Sequence, residues 1–512
     1  MLASSYAQAR DKLLNLTLPP LSLNAPLRQA TLIAAIIAVG LAVAWLPVTW
    51  VALLLGGAIF LTVLLLRPVL SLYLLIPIIP FSSLLAVPFG GIKAGLMEIV
   101  LILGLLAWLL QMLARQKVMI PSAPLLWPFL LFLGGVGLSW LNALSIGASL
   151  VETAKWVEML ALYLLGVALL PVRHVRWVVG VMILAGIAQA VLGLYQFVFK
   201  VGPAGFLLFD GRFLRAYGTF AQPNPYAGYL GLVLPLALSL AVWAFSDFRF
   251  SSFDFRNKSK IKNPRSKGQS KIFYGLSLVL LLAALFATQS RGAWLGFAVA
   301  AAVTLGVRSK QAAMIVGGLA LVFVLAALAG SFDWGVVNTN AVTQRLVDAL
   351  GIATISDISA VEVTDANFAT IERLAHWQAA RDMWRDHLWL GAGFGNYAVI
   401  YPVYAPGRWL DPLGHAHNYL LNIGAEAGLV GIIAYLIFWI LTFRVSLLAL
   451  QSSTGFNRAV AAGGLGILVH LHIHNFFDNL YVQGMYLHLA IVLALISIIY
   501  SCHQTKFSRE RI

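Results

Sequence analysis

The chain has 512 residues, of which 61% are hydrophobic and only 10% charged, and its 34 Lys and Arg against 19 Asp and Glu give a formal net charge of +15. A soluble domain runs about 45–50% apolar and about 25% charged, so a soluble globular protein, a disordered chain, a coiled coil and a disulfide scaffold are all excluded. The lone Cys502 forms neither an internal disulfide nor a Cys metal cluster, and the basic excess is read as loops kept on the cytoplasmic side of a membrane rather than as a nucleic-acid surface.

Residues 1–29 carry Arg10, Lys12 and Arg28 but no apolar core ahead of a small-residue cleavage site, so no removable signal peptide is expected. A membrane-crossing helix takes about 20 apolar residues. Such runs are predicted at 30–46, 48–66, 69–88, 95–113, 123–140, 153–171, 177–198, 224–246, 272–289, 292–307, 311–330, 418–442, 459–478 and 480–501. The expected fold is all-α, a polytopic transmembrane helical bundle of about 12–14 spans. It divides into N-terminal helices over 1–200, a second helical block over 201–330 interrupted by the basic segment 247–271, a long loop over 331–416, closing helices over 417–501 and a tail over 502–512. Basic residues resist translocation. With both termini inside, Arg67, Arg115, Lys117, Arg173, Arg176, the 247–271 segment, Arg308, Lys310, Arg444, Arg458 and the tail all fall on the cytoplasmic face. The 331–416 loop then faces outward. It holds five arginines, no lysine and nine of the 19 acidic residues, the opposite balance to 247–271. A structureless loop of this length is unusual, so it should carry its own helices. The stretch 369–389, with Arg373, Trp377, Arg381 and Trp384 at helical spacing, supplies one.

In so apolar a chain the polar residues at the membrane edge carry the information. Arg291 sits in Thr288-Gln289-Ser290-Arg291-Gly292, a tight turn between two predicted spans, where a permanently charged planar fork suits phosphate; the plain alternative is an arginine snorkelling to headgroups. Arg373 and Arg381 are read as one helix face with Trp377 between them, against an ordinary amphipathic helix. Gly391, Gly393 and Gly395 do not form a nucleotide fingerprint. His417, in GHAHNYLLNIGAEAGLVG, is read as sharing a helix face with Leu421, Gly424, Gly428 and Gly431, which places a proton-transferring side chain over a closely packed seam; a structural hydrogen-bonder is the alternative. Glu426 is read as facing away from His417. His470, His474 and Asp478 recur at i, i+4, i+8, and His415 or His417 would complete a zinc set with them, but a polar face turned into a bundle accounts for the same residues, so no metal is expected. Asp478 is instead a partner that orients His417 or pairs with an arginine.

Two arginines, a histidine and an acid on the outer face describe a site for an anionic substrate and one proton transfer. A lipid pyrophosphate fits, because its head reaches the boundary while its tail stays in the bilayer. Arginines would neutralise the leaving charge, and the histidine would deprotonate an acceptor hydroxyl for an inverting glycosyl transfer.

His417-Asn418, nine residues and then Gly428-Leu-Val-Gly431 resembles the signature of the O-antigen ligase and polymerase family of bacterial polytopic membrane proteins. SRGAWLG around Arg291, the R-x3-W helix at Arg373 followed by GAGFGNY, and RAYGTFAQPNPYAGYLG at 215–231 are similar to it too, and the likeness covers roughly residues 205–485. The resemblance implies a multi-spanning fold with a large periplasmic loop and transfer of a glycan from undecaprenyl pyrophosphate to an acceptor glycan or glycolipid, such as a lipopolysaccharide core. It implies no nucleotide, cofactor or required metal, and a bacterial inner-membrane location. It makes His417 the catalytic residue and Arg291 and Arg373 the substrate ligands, with Arg381 the alternative to Arg373 and Arg215 a further candidate. Asn418, Asp478, Trp377, Gly428 and Gly431 would support them. Ligase and polymerase share the donor and differ in the acceptor, so both stay open. The chain also looks like a cyanobacterial branch often labelled a putative bicarbonate transporter. A transporter should show broken helices or paired halves, and neither is expected from the sequence.

Overall fold

The computed structural model describes residues 44–84, 86–89, 92–117, 121–208, 211–251, 264–309 and 368–509, with isolated positions elsewhere. The expected spans 30–46 and 311–330, the centre of the 247–271 segment and the long loop up to 367 lie mostly outside these stretches. The described chain is almost wholly helical. In order it runs α1 Val48–Leu66, α2 Val69–Ile78, α3 Leu96–Ala114, α4 Leu126–Ser139, α5 Ile146–Leu169, α6 Val175–Phe199, α7 Pro223–Gly231, α8 Leu234–Ser251, α9 Pro264–Ala287, α10 Arg291–Gly306, α11 Phe368–Asp386, α12 Tyr397–Tyr404, α13 Tyr419–Ser452, α14 Gly455–Asn475 and α15 Met485–Arg509. Two short antiparallel ribbons interrupt it, β1 Ala86–Phe89 with β2 Ile92–Gly95 and β3 Leu207–Leu208 with β4 Phe213–Leu214.

Among the described residues, seven helices are long and apolar enough to cross a membrane: Val48–Leu66, Leu96–Ala114, Val172–Phe199, Pro223–Phe245, Gly268–Ala287, Tyr419–Ser452 and Met485–Cys502. Shorter apolar helices cover Val69–Leu84, Leu126–Asn142 and Arg291–Gly306. The chain is therefore an all-α multi-pass membrane protein. Several helix bounds differ from the apolar runs. The 69–88 run holds Pro77 in the last turn of α2 and continues as a 3-10 helix, Ile79–Leu84, into the first ribbon; proline lacks the amide that an α-helix needs there. The 480–501 run starts its helix only at Met485, and the 418–442 run continues to Ser452.

Within the bundle α14 is central, packing against α10, α8 and α13, while α15 packs on α5 and α13, and α4 and α11 lie along α13. α1 keeps most of its apolar side chains outward, as a helix facing lipid does. Tyr481, in the turn between α14 and α15, packs its ring 5.0 Å from Trp156 of α5 and 4.3 Å from Tyr419 of α13. That contact fixes the 476–484 turn against both helices.

α13 is not continuous. At Gly428 the backbone takes φ 62° and ψ −160°, a region open essentially to glycine alone. The break frees backbone groups, and the chain after α11 takes them up. Ala392 N donates to Ala425 O at 2.8 Å and Gly393 N to Glu426 O at 2.9 Å, while Leu429 N donates to Leu388 O at 2.8 Å and Val430 N to Trp389 O at 3.1 Å. The Glu426 side chain accepts from Tyr397 N at 2.9 Å, so it clamps this inserted segment. Gly391, Gly393 and Gly395 all have positive φ, which gives their spacing its reason. The far side of the insertion is tied to the α4–α5 connection: Asn142 Nδ2 donates to Gly391 O at 2.9 Å, Phe394 N to Ser139 Oγ at 2.9 Å and Ser145 N to Asn396 Oδ1 at 2.7 Å. The broken helix that the sequence reading did not expect is thus a joint closed by protein backbone.

A Cβ at residue 428 would overlap the Trp389 backbone. Gly428→Ala should destabilise the detergent-solubilised protein by more than about 2 kcal/mol, seen as a lower Tm. Gly134→Ala, which adds a Cβ into open space on α4, should leave Tm unchanged.

Candidate active site

His417 lies in the turn that enters α13 and not on the helix itself. Asn418 is the N-cap, its side chain accepting from Leu421 N at 3.1 Å, and Asn422 Oδ1 accepts from Ala416 N at 3.0 Å. Asparagine is among the strongest N-caps, so the helix starts at Tyr419, two residues after the histidine. The expected common face of His417, Leu421, Gly424, Gly428 and Gly431 does not form, both for this reason and because α13 breaks at Gly428. Gly428 and the buried Gly431 belong to the joint. His417 itself is left-handed, φ 52°, a strained choice for a residue with a Cβ.

Around His417 the donors and acceptors are ordered. Its backbone N–H donates to His415 Nδ1 at 3.1 Å. His415 Nε2 then faces Asp478 Oδ1 at 3.8 Å, and His417 Nδ1 lies 3.7 Å from the same oxygen. Both separations are ion-pair distances, longer than hydrogen bonds. Trp377 of α11 donates its indole N–H to His417 O at 3.4 Å and packs edge-on to Phe476 at 5.6 Å, so one side chain spans both turns. His376, its neighbour, turns inward to stack on Tyr401 at 4.8 Å with Nδ1 3.0 Å from the Tyr397 hydroxyl.

The arginines come from three further elements. Arg291 is the exposed first residue of α10. A Cβ on the adjacent Gly292 would lie 3.2 Å from Phe477 Cβ and 3.5 Å from His474 Cδ2, which sets this helix start against the Asp478 turn. Arg215, following β4, donates Nε to Thr288 O at 2.9 Å and Nη2 to Asn224 Oδ1 at 2.8 Å, and Ala216 N donates to Ala287 O at 2.9 Å. It is braced on the turn that presents Arg291. Arg373 stands one helical turn before Trp377 on α11. Burial, then the charges of Arg373 and Arg291, push the Arg215 guanidinium down to about 10, with Asp478 acting against them; it remains a cation at neutral pH. Arg381 is left out. Eight residues along an α-helix is a rotation of about 80°, and this side chain is exposed and paired with Asp382 at 3.4 Å.

Burial, then the neighbouring His417, Lys155 and Arg373 charges, push His415 down to about 4, with Asp478 opposing. Burial works against ionisation of Asp478, but the surrounding His417, His415 and His474 outweigh it and hold its carboxyl well below the usual range. At neutral pH the pair is a neutral imidazole beside a carboxylate. The donor atoms of His415, His417 and Asp478 lie within 4.8 Å of one another, a grouping that would attract a metal. The amide of His417, by donating to His415 Nδ1, takes up that neutral ring's single lone pair and leaves its proton on Nε2, the atom facing Asp478. His470, read with these residues from its spacing, is buried against Gly231 and Gly296. Sequence reasoning passed over His376, Glu98, Lys155 and Glu158. The last three are charges within predicted spans or at their edges, and that was the signal available.

Helices suited to a bilayer, with three arginines and a histidine–carboxylate pair at one end, define a polytopic membrane protein with a cationic cluster. Residues 276–436 match the family model described as O-Antigen ligase. The match takes in Arg291, Arg373 and His417, and Arg215 and Asp478 lie outside it. No curated protein matches the chain.

The depressed His415 and His376, the latter pushed down to about 4 chiefly by burial, have a stability consequence. The unfolded chain binds their protons more tightly than the folded one, so this stabilisation is complete above about pH 6.5 and is lost as pH falls through about 4. Tm should fall over that window, and His415→Gln should flatten the fall.

Proposed function

We propose that this protein transfers a glycan from an undecaprenyl-pyrophosphate donor to a hydroxyl of an acceptor glycan or glycolipid, on the periplasmic face of a bacterial inner membrane with both termini cytoplasmic. The observation that carries the reading is the convergence of Arg215, Arg291 and Arg373 on the His417–Asp478 turn in a chain whose residues 276–436 match the O-Antigen ligase family model. Burial and the nearby charges of Arg373 and Arg291 both act against the Arg215 cation, and a pyrophosphate answers that charge. The arginines thereby take the charge that a metal ion would otherwise neutralise. The polyprenyl tail stays among lipids beside the apolar helices.

Asp478 favours a proton on the Nδ1 side of His417, which leaves Nε2 as the base. Nε2 takes the acceptor's hydroxyl proton, and the acceptor oxygen bonds to the sugar carbon bearing the pyrophosphate. The bond from that carbon to the pyrophosphate oxygen breaks, and its electron pair leaves on the pyrophosphate, held by the arginines. Attack from the face opposite the leaving group inverts the carbon. Ligase and polymerase run this same step on different acceptors. The break in α13 adds nothing to a bicarbonate-transport reading, since the backbone groups of Ala425, Glu426, Leu429 and Val430 are taken by residues 388–393.

His417→Ala should keep normal protein levels and abolish surface glycan attachment or elongation, with transfer by purified protein falling by about 10²–10⁴-fold. Normal surface glycans in that strain would end the enzymatic reading. Arg291→Ala and Arg373→Ala should each cost affinity for undecaprenyl pyrophosphate, whereas Arg381→Ala, an exposed surface pair, should change transfer by no more than about twofold.

A further inference from the structure

Across the 476–484 turn from the arginines lies a pocket of about 370 Å³, lined among others by Ser82, Glu98, Lys155, Gln483 and Tyr486, inside the about 300–1,000 Å³ range of small-molecule sites. It shares two walls with the cationic cluster. The turn that carries Asp478 also carries Gln483, whose backbone oxygen accepts from Ser82 Oγ at 3.3 Å. The segment that begins at Arg215 reaches the pocket at Thr219 and Ala221: the Ser83 hydroxyl donates to Thr219 O, and Ala221 N donates to Gln483 Oε1 at 3.3 Å.

The charged residues of this lining are one acid and one base, Glu98 and Lys155, where the cluster has three arginines. Lys155 is paired with Glu152 at 2.5 Å, and the Tyr486 hydroxyl donates to Glu158 at 2.6 Å. Glu98, three residues into the start of α3, has a buried Oε2 that takes no hydrogen bond. Gly95 makes the room for it, since a Cβ there would lie 2.5 Å from that oxygen, and the helix start favours the negative charge. The lining's ammonium is already answered by a carboxylate, so the pocket is a poor match for a pyrophosphate. A buried carboxylate oxygen without a donor, beside an amide, hydroxyls and an aromatic wall, suits an uncharged polyol.

We infer that this pocket holds a neutral sugar residue of the acceptor, with Glu98 accepting from its hydroxyls, and that the acceptor reaches His417 past the 476–484 turn. The inference rests on the glycosyl-transfer reading for the word acceptor, and on the pocket alone for the sugar.

The test uses the full chain in detergent with glucose, galactose and N-acetylglucosamine as sugar probes and undecaprenyl pyrophosphate as the donor probe, each binding measured separately. At least one sugar should bind at millimolar concentration. Glu98→Gln should weaken it by about tenfold, the loss of one charged hydrogen bond, with undecaprenyl pyrophosphate affinity unchanged; Arg291→Ala should give the reverse pattern. No sugar binding to the wild type, or sugar affinity untouched in both Glu98→Gln and Glu98→Ala, overturns the proposal. So does an equal loss of both probes in Glu98→Gln, which marks a fold defect. Glu98-dependent sugar binding in a protein that does not bind undecaprenyl pyrophosphate upholds the sugar site and removes the donor reading.

Discussion

The geometry depends on one joint, where the backbone of residues 388–393 enters the break in α13. An open break inside a membrane helix would leave polar backbone groups without water, each costing several kcal/mol. Here the break and the insertion satisfy each other, and Glu426 and the α4–α5 connection close the joint on its remaining sides. The consequence reaches the cluster. α11 enters the joint and α13 begins just above it, so the joint sets how Arg373 and Trp377 of one face His417 at the head of the other.

Electrostatics divides the end of the bundle. On one side, Arg215 lies near Arg291 and Arg373. On the other, Glu98 and Lys155 share a pocket lining and Lys155 pairs with Glu152. The 476–484 turn separates the two and puts Asp478 at the boundary, where it faces both histidines. Folding such unlike charges near apolar helices is costly unless ligands or partners answer them. The tight tyrosine packing of Tyr481 holds the boundary in place.

Much of this was readable from residues alone, and the failures have physical causes. Long apolar runs gave the all-α membrane architecture, because backbone satisfaction in lipid permits little else. Arg215, Arg291, Arg373, His417 and Asp478 were named as candidates, and the structure gathers them at one end. The shared helix face of His417 failed because periodicity says nothing about where a cap begins, and Asn418 takes the cap. Arg381 points elsewhere than Arg373 because residues eight apart on a helix diverge, and it pairs with Asp382 at the surface. The broken helix was invisible because Gly428 in an apolar run is indistinguishable from a packing glycine until the segment that fills the gap is known. The bounds of two runs moved for a like reason: Pro77 ends α2 inside the 69–88 run, and α15 starts only at Met485.

The provenance of the sugar pocket's walls separates two inheritances. Ser82, Glu98 and Lys155 belong to the first third of the chain, ahead of the 276–436 match, whereas Arg291, Arg373 and His417 fall within it. On the proposed reading, the residues that take the acceptor and those that carry out transfer come from different stretches of the chain and meet at the 476–484 turn, which serves both. Exchanging residues 82–155 between two such chains would then change the acceptor without moving the arginines.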